Sequence, residues 1–360
     1  MELRILEGAK IMLYVKPQMK KLDMYVPGES VGGVKLSSNE NPFGASAKVN
    51  DVLANFTNFA RYPDAQATIL REKIAEFLAV DTKQLIFGAG VDDVIQLISR
   101  SVLAPGDNVV QATPTFPLYE QHAIIEGADV ISVPLQNGVH DLDKMMAAIN
   151  DRTKIIWLCN PNNPTGTYVN EMSLRKFLDS VPNDILVIVD EAYVEYVVAE
   201  DFPNTVELIG LYPNVVVLRT FSKVYGLASF RIGYGVGSEK FIQDLEVGRL
   251  PFNTGAIAQE VAAVAISDRD FVARSVAENI AGLAQYEEFF NKFDIRYYPS
   301  QTNFILIPCA LELGMEIGAK LLEAGYIVRV LACGVRITIG SRADNDGVIA
   351  CLQENLELLK

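Results

Sequence analysis

The sequence predicts an α/β fold in which a doubly wound, mostly parallel sheet is followed by a smaller α+β lobe. Short apolar runs alternate with helical segments from about residue 68 onwards, which indicates parallel strands covered by helices on both faces. The chain has 360 residues, enough for more than one domain. After about residue 250 the strands and helices are grouped differently, which indicates the second lobe.

Composition excludes several classes of function. The formal net charge of −14 argues against a nucleic-acid or anionic-membrane partner, because such surfaces attract clustered Lys and Arg. The 4 cysteines lie far apart and the 2 histidines share no ligand spacing, so neither a disulfide framework nor a metal site is expected. No run approaches the roughly 18 apolar residues of a membrane span. We therefore expect a cytoplasmic protein.

Five apolar runs are the predicted strands of the main sheet, and a polar segment follows each of them. The runs are 85–87, 109–110, 155–158, 185–189 and 215–218. In open α/β sheets, ligands bind in the crevice beyond the carboxyl ends of the strands. All five polar segments are therefore expected to open onto one crevice.

The segments after the first two runs suggest a phosphate and a planar ring. Gly88, Ala89 and Gly90 precede a helical pattern, and backbone N–H groups at a helix N-terminus bind phosphate. The third glycine of a dinucleotide-binding G-x-G-x-x-G motif is absent, which argues against a dinucleotide. Phe116, after the second run, either stacks on a planar ring or packs in the core.

Asp190 directly follows the fourth run. A carboxylate at the end of a buried strand needs a cationic partner or hydrogen-bond donors. The protonated pyridine nitrogen of pyridoxal 5′-phosphate (PLP) would be such a partner, because that cofactor withdraws electrons only while the nitrogen keeps its proton. The alternative is that Asp190 caps the next helix.

Lys223 follows the fifth run among small hydroxyl residues, and Arg231 comes eight positions later. A lone lysine after a strand is commonly a solvated surface residue. Hydroxyl groups and a bidentate arginine, however, form a site for a dianion, and a lysine amine beside it can condense with an aldehyde. These residues therefore indicate a cofactor phosphate and a lysine that holds the cofactor as a Schiff base.

The remaining pattern defines the predicted domains. Helical patterns cover 256–266, 271–292 and 311–324, strand-like runs cover 302–308, 326–330 and 335–339, and a last helix starts near 345. We predict an N-terminal arm at 1–40 that contributes to the small domain and to a dimer, a large cofactor-binding domain at 41–250, and a small C-terminal domain at 251–360.

Three segments resemble the signatures of the class II aminotransferases of fold type I. They are residues 160–166, residues 190–193, and the segment from Ser222 and Lys223 to Arg231. Residues 36–44, 61–64 and 335–340 further resemble the histidinol-phosphate aminotransferases. The resemblance covers nearly the whole chain in order, and it implies the PLP-dependent transferase fold type I, with a mostly parallel seven-stranded sheet in the large domain.

The resemblance implies a role for each matched residue. The catalytic residues would be Lys223, Asp190 and Tyr193. The cofactor would also contact Ala89, Gly90, Phe116, Asn163, Thr220, Ser222 and Arg231, with Tyr62 reaching the phosphate in the neighbouring subunit of a homodimer. Asn163 and Tyr193 would bind its 3′ oxygen. The substrate side would be lined by Arg336, Arg329, Tyr25, Asn39 and Asn253.

The implied activity is ping-pong transamination of L-histidinol phosphate with 2-oxoglutarate, small molecules that serve as amino donor and 2-oxo acid. Only six residues, 330–335, separate Arg329 from Arg336, where many relatives carry a longer loop. This leaves open how the substrate phosphate is bound. The alternatives are an aromatic amino-acid aminotransferase, a threonine-phosphate decarboxylase and, from a different class, a non-catalytic PLP-fold binding protein.

Overall fold

The computed structural model describes residues 15–24 and 32–359. Up to residue 246 its strands and helices are β1 (Val34–Lys35), α1 (Ala47–Asn55), α2 (Thr68–Leu78), β2 (Leu85–Gly88), α3 (Val91–Val102), β3 (Asn108–Thr113), α4 (Leu118–Glu126), β4 (Asp129–Pro134), α5 (Leu142–Ala147), β5 (Thr153–Cys159), α6 (Glu171–Leu178), β6 (Leu186–Asp190), α7 (Thr205–Leu208), β7 (Val215–Thr220), β8 (Gly233–Val236) and α8 (Glu239–Glu246).

Seven of these strands form the central sheet, in the order β2-β8-β7-β6-β5-β3-β4. The pairs from β7 to β4 are parallel, whereas β8 runs antiparallel to both β2 and β7. The prediction of a mostly parallel sheet within an α/β fold is therefore confirmed. Strands β5, β6 and β7 end side by side, and their carboxyl ends open onto the same edge of the sheet.

The sheet is buried on both faces, as its unbroken apolar runs predict. Ile156 and Val187 point into one apolar cluster, and their chain neighbours Ile155 and Ile188 point into the other. All four are fully buried. Each such side chain stabilises the fold by about 1.5–3 kcal/mol through area removed from water, so the strand ends that carry polar residues rest on a rigid support.

The C-terminal part forms a second, smaller sheet. Its elements are α9 (Ala256–Ala265), α10 (Arg269–Phe293), β9 (Phe304–Ile307), α11 (Leu311–Glu323), β10 (Tyr326–Ile327), β11 (Arg329–Leu331), β12 (Gly334–Thr338) and α12 (Arg342–Glu354). Strands β11, β12 and β9 form an antiparallel sheet. Its apolar cluster is separate from the two that cover the central sheet.

Two features of the structure bear on the predicted division into an arm at 1–40, a large domain at 41–250 and a small domain at 251–360. Helix α9 contributes buried residues such as Val261 to a cluster of the central sheet. Strand β1 pairs with β10, and Leu36 packs in the cluster of the small sheet. The exact domain boundaries stay a prediction. Within the described residues, no helix has the length and apolar character needed to cross a membrane.

Candidate active site

A cavity of about 310 Å³ opens at the carboxyl ends of β5, β6 and β7, the position at which open α/β sheets bind ligands. Of the sixteen residues predicted for the site, eleven line this cavity: Lys223, Asp190, Tyr193, Asn163, Phe116, Thr220, Ser222, Arg231, Asn39, Arg329 and Arg336. They come from both sheets, so the cavity lies where the central sheet meets the small one.

The Lys223 amine lies inside this cavity. Its Nζ donates a hydrogen bond to the carbonyl oxygen of Ser38 at 3.2 Å and lies 5.6 Å from the centre of the Tyr193 ring. Burial and, next in size, the positive charge of Arg336 together lower the pKa of Lys223 to about 8. Near neutral pH a useful fraction of this amine is therefore uncharged, which is the form that attacks a carbonyl carbon.

Asp190, the last residue of β6, presents a buried carboxylate that is 3% exposed. Its Oδ1 accepts a hydrogen bond from the Ala192 N–H at 3.1 Å, and its Oδ2 accepts one from the Tyr119 hydroxyl at 2.6 Å. Burial raises the pKa of Asp190 to about 6, against the lowering effect of these two hydrogen bonds. The bond to Ala192 has the form of a local turn, but the next helical turn starts only at Val194, so Asp190 is not its cap.

Tyr193 and Asn163 also line the cavity, where they belong to a buried polar network. The Tyr193 hydroxyl accepts a hydrogen bond from Asn39 Nδ2 at 2.9 Å, and burial raises the pKa of Tyr193. Asn163 Oδ1 accepts one from Arg336 Nη1 at 2.6 Å, and Arg336 Nη2 donates to the Ser37 carbonyl at 2.8 Å. The network ties the central sheet to the small sheet through side chains.

Arg329 and Arg336 belong to one tight hairpin. In the antiparallel pair β11–β12 they are direct partners, and Leu331 pairs with Gly334, so that two residues form the turn. Directly opposed residues project from the same face of a sheet, and both arginines line the cavity. The short connection noted in the sequence is therefore what aligns the two guanidinium groups.

The end of the cavity beside α3 has the character of an anion site. Arg231 lies there, half-exposed, with its Nη2 3.3 Å from Asp92 Oδ2. Gly90 has φ +84°, a backbone conformation that favours glycine, and a Cβ on it would lie 2.7 Å from Arg231 Nη2, so the loop and this guanidinium are close together. On the other side, the Ser222 N–H donates to Thr220 Oγ1 at 3.1 Å.

The N–H groups of Ala89 and Gly90, predicted to bind the phosphate, both have acceptors within the chain. Ala89 donates to Asp93 Oδ2 at 2.9 Å, and Gly90 donates to the carbonyl of Gly88 at 2.8 Å. Neither residue lines the cavity, whereas Val91 does. The N-terminus of α3 still faces the cavity, one residue later than the sequence indicates.

Tyr62 and Asn253 do not line the cavity of this chain either. Tyr62 is 80% exposed and stacks on Phe252 at 4.7 Å between ring centres. Asn253 does not line the cavity, because its Nδ2 donates to Phe87 O and to Asp93 Oδ2, each at 2.9 Å. Tyr25 lies outside the described residues.

Two features were not found from the sequence. Tyr119 contacts Asp190, and its position three residues after Phe116 at the start of a helix is the only signal for it. A second cavity of about 420 Å³ adjoins the first and shares Phe116, Asn163, Arg329 and Arg336 with it; its far wall is the hairpin turn. A substrate side chain could extend into this space.

The described residues fit PLP. Asp190 is buried and has no cationic partner among the described residues, so a protonated ring nitrogen would supply the missing charge. The Lys223 amine suits an aldehyde, and Arg231 with the hydroxyl groups suits a phosphate. Phe116, whose ring is partly buried at the cavity wall, is available to a planar ring.

Comparisons with known proteins agree with this geometry. A sequence profile of the family described as aminotransferase class I and II matches residues 31–352. The chain is 51% identical to histidinol-phosphate aminotransferase 1 of Bacillus cereus, across 94% of this chain and 96% of that protein.

Solved structures resemble the whole chain. The crystal structure of histidinol-phosphate aminotransferase from Sinorhizobium meliloti in complex with pyridoxal-5′-phosphate superimposes with a TM-score of 0.90 at 24% identity, covering 98% of this chain and 100% of that one. L-threonine-O-3-phosphate decarboxylase from Porphyromonas gingivalis superimposes with a TM-score of 0.78 at 23% identity, covering 90% and 99%. At these identities the likeness shows the fold alone, and it confirms the predicted fold class.

Proposed function

The chain belongs to the aminotransferase class I and II family, and on that premise we propose that it transfers the amino group of L-histidinol phosphate to 2-oxoglutarate in histidine biosynthesis. The products are imidazole-acetol phosphate and L-glutamate. The observation that carries this proposal is the 51% identity to a histidinol-phosphate aminotransferase over nearly the full length of both chains. The protein is a PLP-dependent transaminase, as its family and relatives are.

Bound PLP supplies an electron sink that weakens a bond to the α-carbon of the amino substrate. Asp190 would keep the ring nitrogen protonated through its buried carboxylate. Lys223 would hold the cofactor and, once released, move the proton at the substrate α-carbon as general base and then as general acid. The lowered pKa of Lys223, about 8, supports this role because both of its protonation states are accessible near neutral pH.

The other cofactor contacts follow from position. Asn163 and Tyr193 would donate to the 3′ oxygen, and Phe116 would stack on the ring. Thr220, Ser222, Arg231 and the loop of Ala89 and Gly90 would hold the phosphate. In support, this loop lies close to the Arg231 guanidinium, which gives charge and bidentate geometry.

The substrate end is built on the hairpin. Arg336 would bind the carboxylate of glutamate or 2-oxoglutarate, and Arg329 would bind the phosphate of histidinol phosphate. In support, both residues line the two adjoining cavities and are opposed in the same strand pair. Asn39 would orient Tyr193, to which it donates at 2.9 Å. Tyr25 and Asn253 keep their proposed places near the substrate only as predictions from the resemblance.

We also propose that the working unit is a homodimer in the cytoplasm. Tyr62 would reach the cofactor phosphate of the partner subunit. In support, Tyr62 is 80% exposed and stacks on Phe252, and apolar residues close in the chain to these two, Phe59, Val247 and Leu250, are exposed at 78%, 89% and 59%, as apolar residues of interaction sites are. The four cysteines are unpaired, which suits a reducing compartment.

Single-turnover conversion of the PLP form tests the substrate. Histidinol phosphate, phenylalanine, tyrosine and threonine phosphate would be added one at a time, with the cofactor absorbance followed by stopped flow. We expect histidinol phosphate to react fastest. Faster conversion of phenylalanine would favour an aromatic amino-acid aminotransferase, release of carbon dioxide from threonine phosphate would favour a decarboxylase, and no change with any of them would favour a non-catalytic binding protein.

A further inference from the structure

Tyr119 is a fully buried tyrosine whose hydroxyl reaches the site. It lies in the first turn of α4, is 0% exposed, and donates a hydrogen bond of 2.6 Å to Asp190 Oδ2. This contact is shorter than the 3.1 Å bond from the Ala192 N–H to Oδ1. The two carboxylate oxygens are therefore held from two sides, by a helix and by the chain that follows β6.

The ring of Tyr119 is fixed between two other aromatic rings. It stacks on Trp157 with 4.6 Å between ring centres and 5° between planes, and it meets Phe116 edge to face at 5.5 Å. Trp157 lies on β5, next to the strand that ends in Asp190. Packing on two sides fixes the long axis of the ring and therefore the position of its hydroxyl oxygen.

The charges around this contact make Tyr119 the hydrogen-bond donor and Asp190 the acceptor. Burial raises the pKa of Tyr119 well above its ordinary value, and the neighbouring charge of Asp190 raises it further, so the phenol stays neutral and donates. Burial also raises the pKa of Asp190 to about 6, and the Tyr119 hydrogen bond is the largest effect that opposes this rise. The other ionisable groups around Asp190 include Cys159 on β5, Tyr193, Asp92 on α3 and the adjacent Glu191, and as thiol, phenol or carboxyls these groups supply no compensating positive charge.

We propose that Tyr119 is a positioning residue that keeps the Asp190 carboxylate charged and aimed at the pyridine nitrogen, and that couples this carboxylate to Phe116, the residue proposed to stack on the same ring. The inference rests on the proposed cofactor site. It assigns to the start of α4 a joint control over the face and the nitrogen of the cofactor ring, through Tyr119 in its first turn and Phe116 just before its N-cap, whose rings are in contact.

The test is Tyr119→Phe, which removes the hydroxyl and keeps the ring. In the apoprotein labelled with ¹³C at the aspartate carboxyls, with the resonance assigned by its loss in Asp190→Asn, we expect the pKa of Asp190 to rise by about one unit, because a hydrogen bond to a charged group is lost. In the holoprotein we expect PLP to dissociate about tenfold faster. We also expect the pH below which the protein loses its PLP to be higher than in the wild type.

Tyr286→Phe is the matched control. Tyr286 is equally buried, but its hydroxyl has no hydrogen-bond partner among the described residues, and it belongs to the cluster of the small sheet. This variant should leave the Asp190 titration and PLP dissociation unchanged. The fluorescence of Trp157, the one tryptophan of the chain, gives a further readout, since it should respond to PLP differently in Tyr119→Phe than in the control.

A 3-fluorotyrosine at position 119 separates positioning from packing. Fluorine makes the phenol a stronger donor and leaves the fold intact, so the pKa of Asp190 should fall, opposite to Tyr119→Phe. An unchanged Asp190 titration in both variants would overturn the inference and leave Tyr119 a packing residue. Failure of the wild-type protein to bind PLP would instead overturn the proposed function, and the apoprotein titration would still decide the role of Tyr119.

Discussion

The two ends of the cavity are built in different ways. At the cofactor end, Asp190 and Thr220 are the last residues of neighbouring strands in one hydrogen-bonded sheet. At the substrate end, Arg336 reaches Ser37 and Asn163, which lie 299 and 173 positions away in the chain. The cofactor end is set by a single sheet, whereas the substrate end depends on how two sheets and the N-terminal segment meet.

This difference separates chemistry from selectivity. Groups on the rigid sheet edge act on every substrate, because each substrate reacts at the same cofactor. Groups on the hairpin are proposed to bind the carboxylate or phosphate that differs from one substrate to the next, and they line the second cavity as well as the first. Substitutions at the cofactor end should therefore impair all reactions alike, and substitutions on the hairpin should change the preference among substrates.

The largest effect is expected for Lys223→Ala. The variant loses the amine that holds the cofactor and moves the α-carbon proton, and positioned acid–base groups contribute about 10²–10⁴-fold to rate. We expect both half-reactions to slow by about 10⁴-fold in single-turnover absorbance measurements, and the visible cofactor band to shift. Lys240→Ala, which removes an exposed lysine paired with Asp244, is the control. A loss confined to one substrate would contradict the proposed separation.

A smaller and selective effect is expected for Arg329→Ala. Removing a guanidinium that binds a phosphate should lower kcat/KM for histidinol phosphate about 100-fold. The glutamate half-reaction should change little, because its carboxylate is assigned to Arg336. Steady-state kinetics in both directions measure the ratio. Equal losses with both substrates would show that the hairpin acts on the chemistry and would break the contrast between the two ends.

The sequence predicts the cofactor end better than the substrate end, for the same structural reason. The five apolar runs are strands buried on both faces, and their end residues meet because neighbouring strands end together. Two strands were missed: β4 is an edge strand with mostly accessible side chains, and β8 is short and contains two glycines. The direction of the Arg329 guanidinium was open until the register of β11 and β12 placed it opposite Arg336.

Contacts between helices and sheet were beyond the sequence. Tyr119 reaches Asp190 only because α4 packs with a particular rotation over β5. The resemblance places Asn253 near the substrate, which stays a prediction, and what the sequence does not indicate is that its amide donates to Phe87 O and Asp93 Oδ2. Both depend on packing between segments far apart in the chain, which no local pattern reports.

Asp190→Asn tests the contrast between the two ends of the cavity through the stability of the folded apoprotein. The folded pKa of Asp190, about 6, lies above the ordinary value of 3.8. Between these values the folded state binds more protons than the unfolded state, so this group's contribution to stability is present at low pH and is lost as pH rises through about 6. In the apoprotein at pH 8 we expect the variant to be more stable than the wild type by about 2 kcal/mol.

Urea unfolding of both apoproteins at pH 8 and at pH 4.5 checks this, and the stability gap should narrow to less than half at the lower pH. The same substitution should weaken PLP binding, since the amide cannot keep the ring nitrogen protonated. These two results together would show that the Asp190 carboxylate at the sheet edge destabilises the folded apoprotein but strengthens the binding of PLP. A variant less stable than the wild type at pH 8 would mean that Asp190 already has its charge balanced within the apoprotein.

The smallest effect is expected for Tyr62→Phe, which asks whether the cofactor end is complete within one chain. If Tyr62 of the partner subunit donates to the cofactor phosphate, loss of its hydroxyl should speed PLP dissociation about fivefold, close to 1 kcal/mol, without changing the dimer mass in sedimentation. Tyr168→Phe, which removes a hydroxyl bonded to Asp201 far from the cavity, should leave retention unchanged. Unaltered PLP dissociation in Tyr62→Phe would restrict the cofactor end to residues of a single sheet and make the contrast with the substrate end complete.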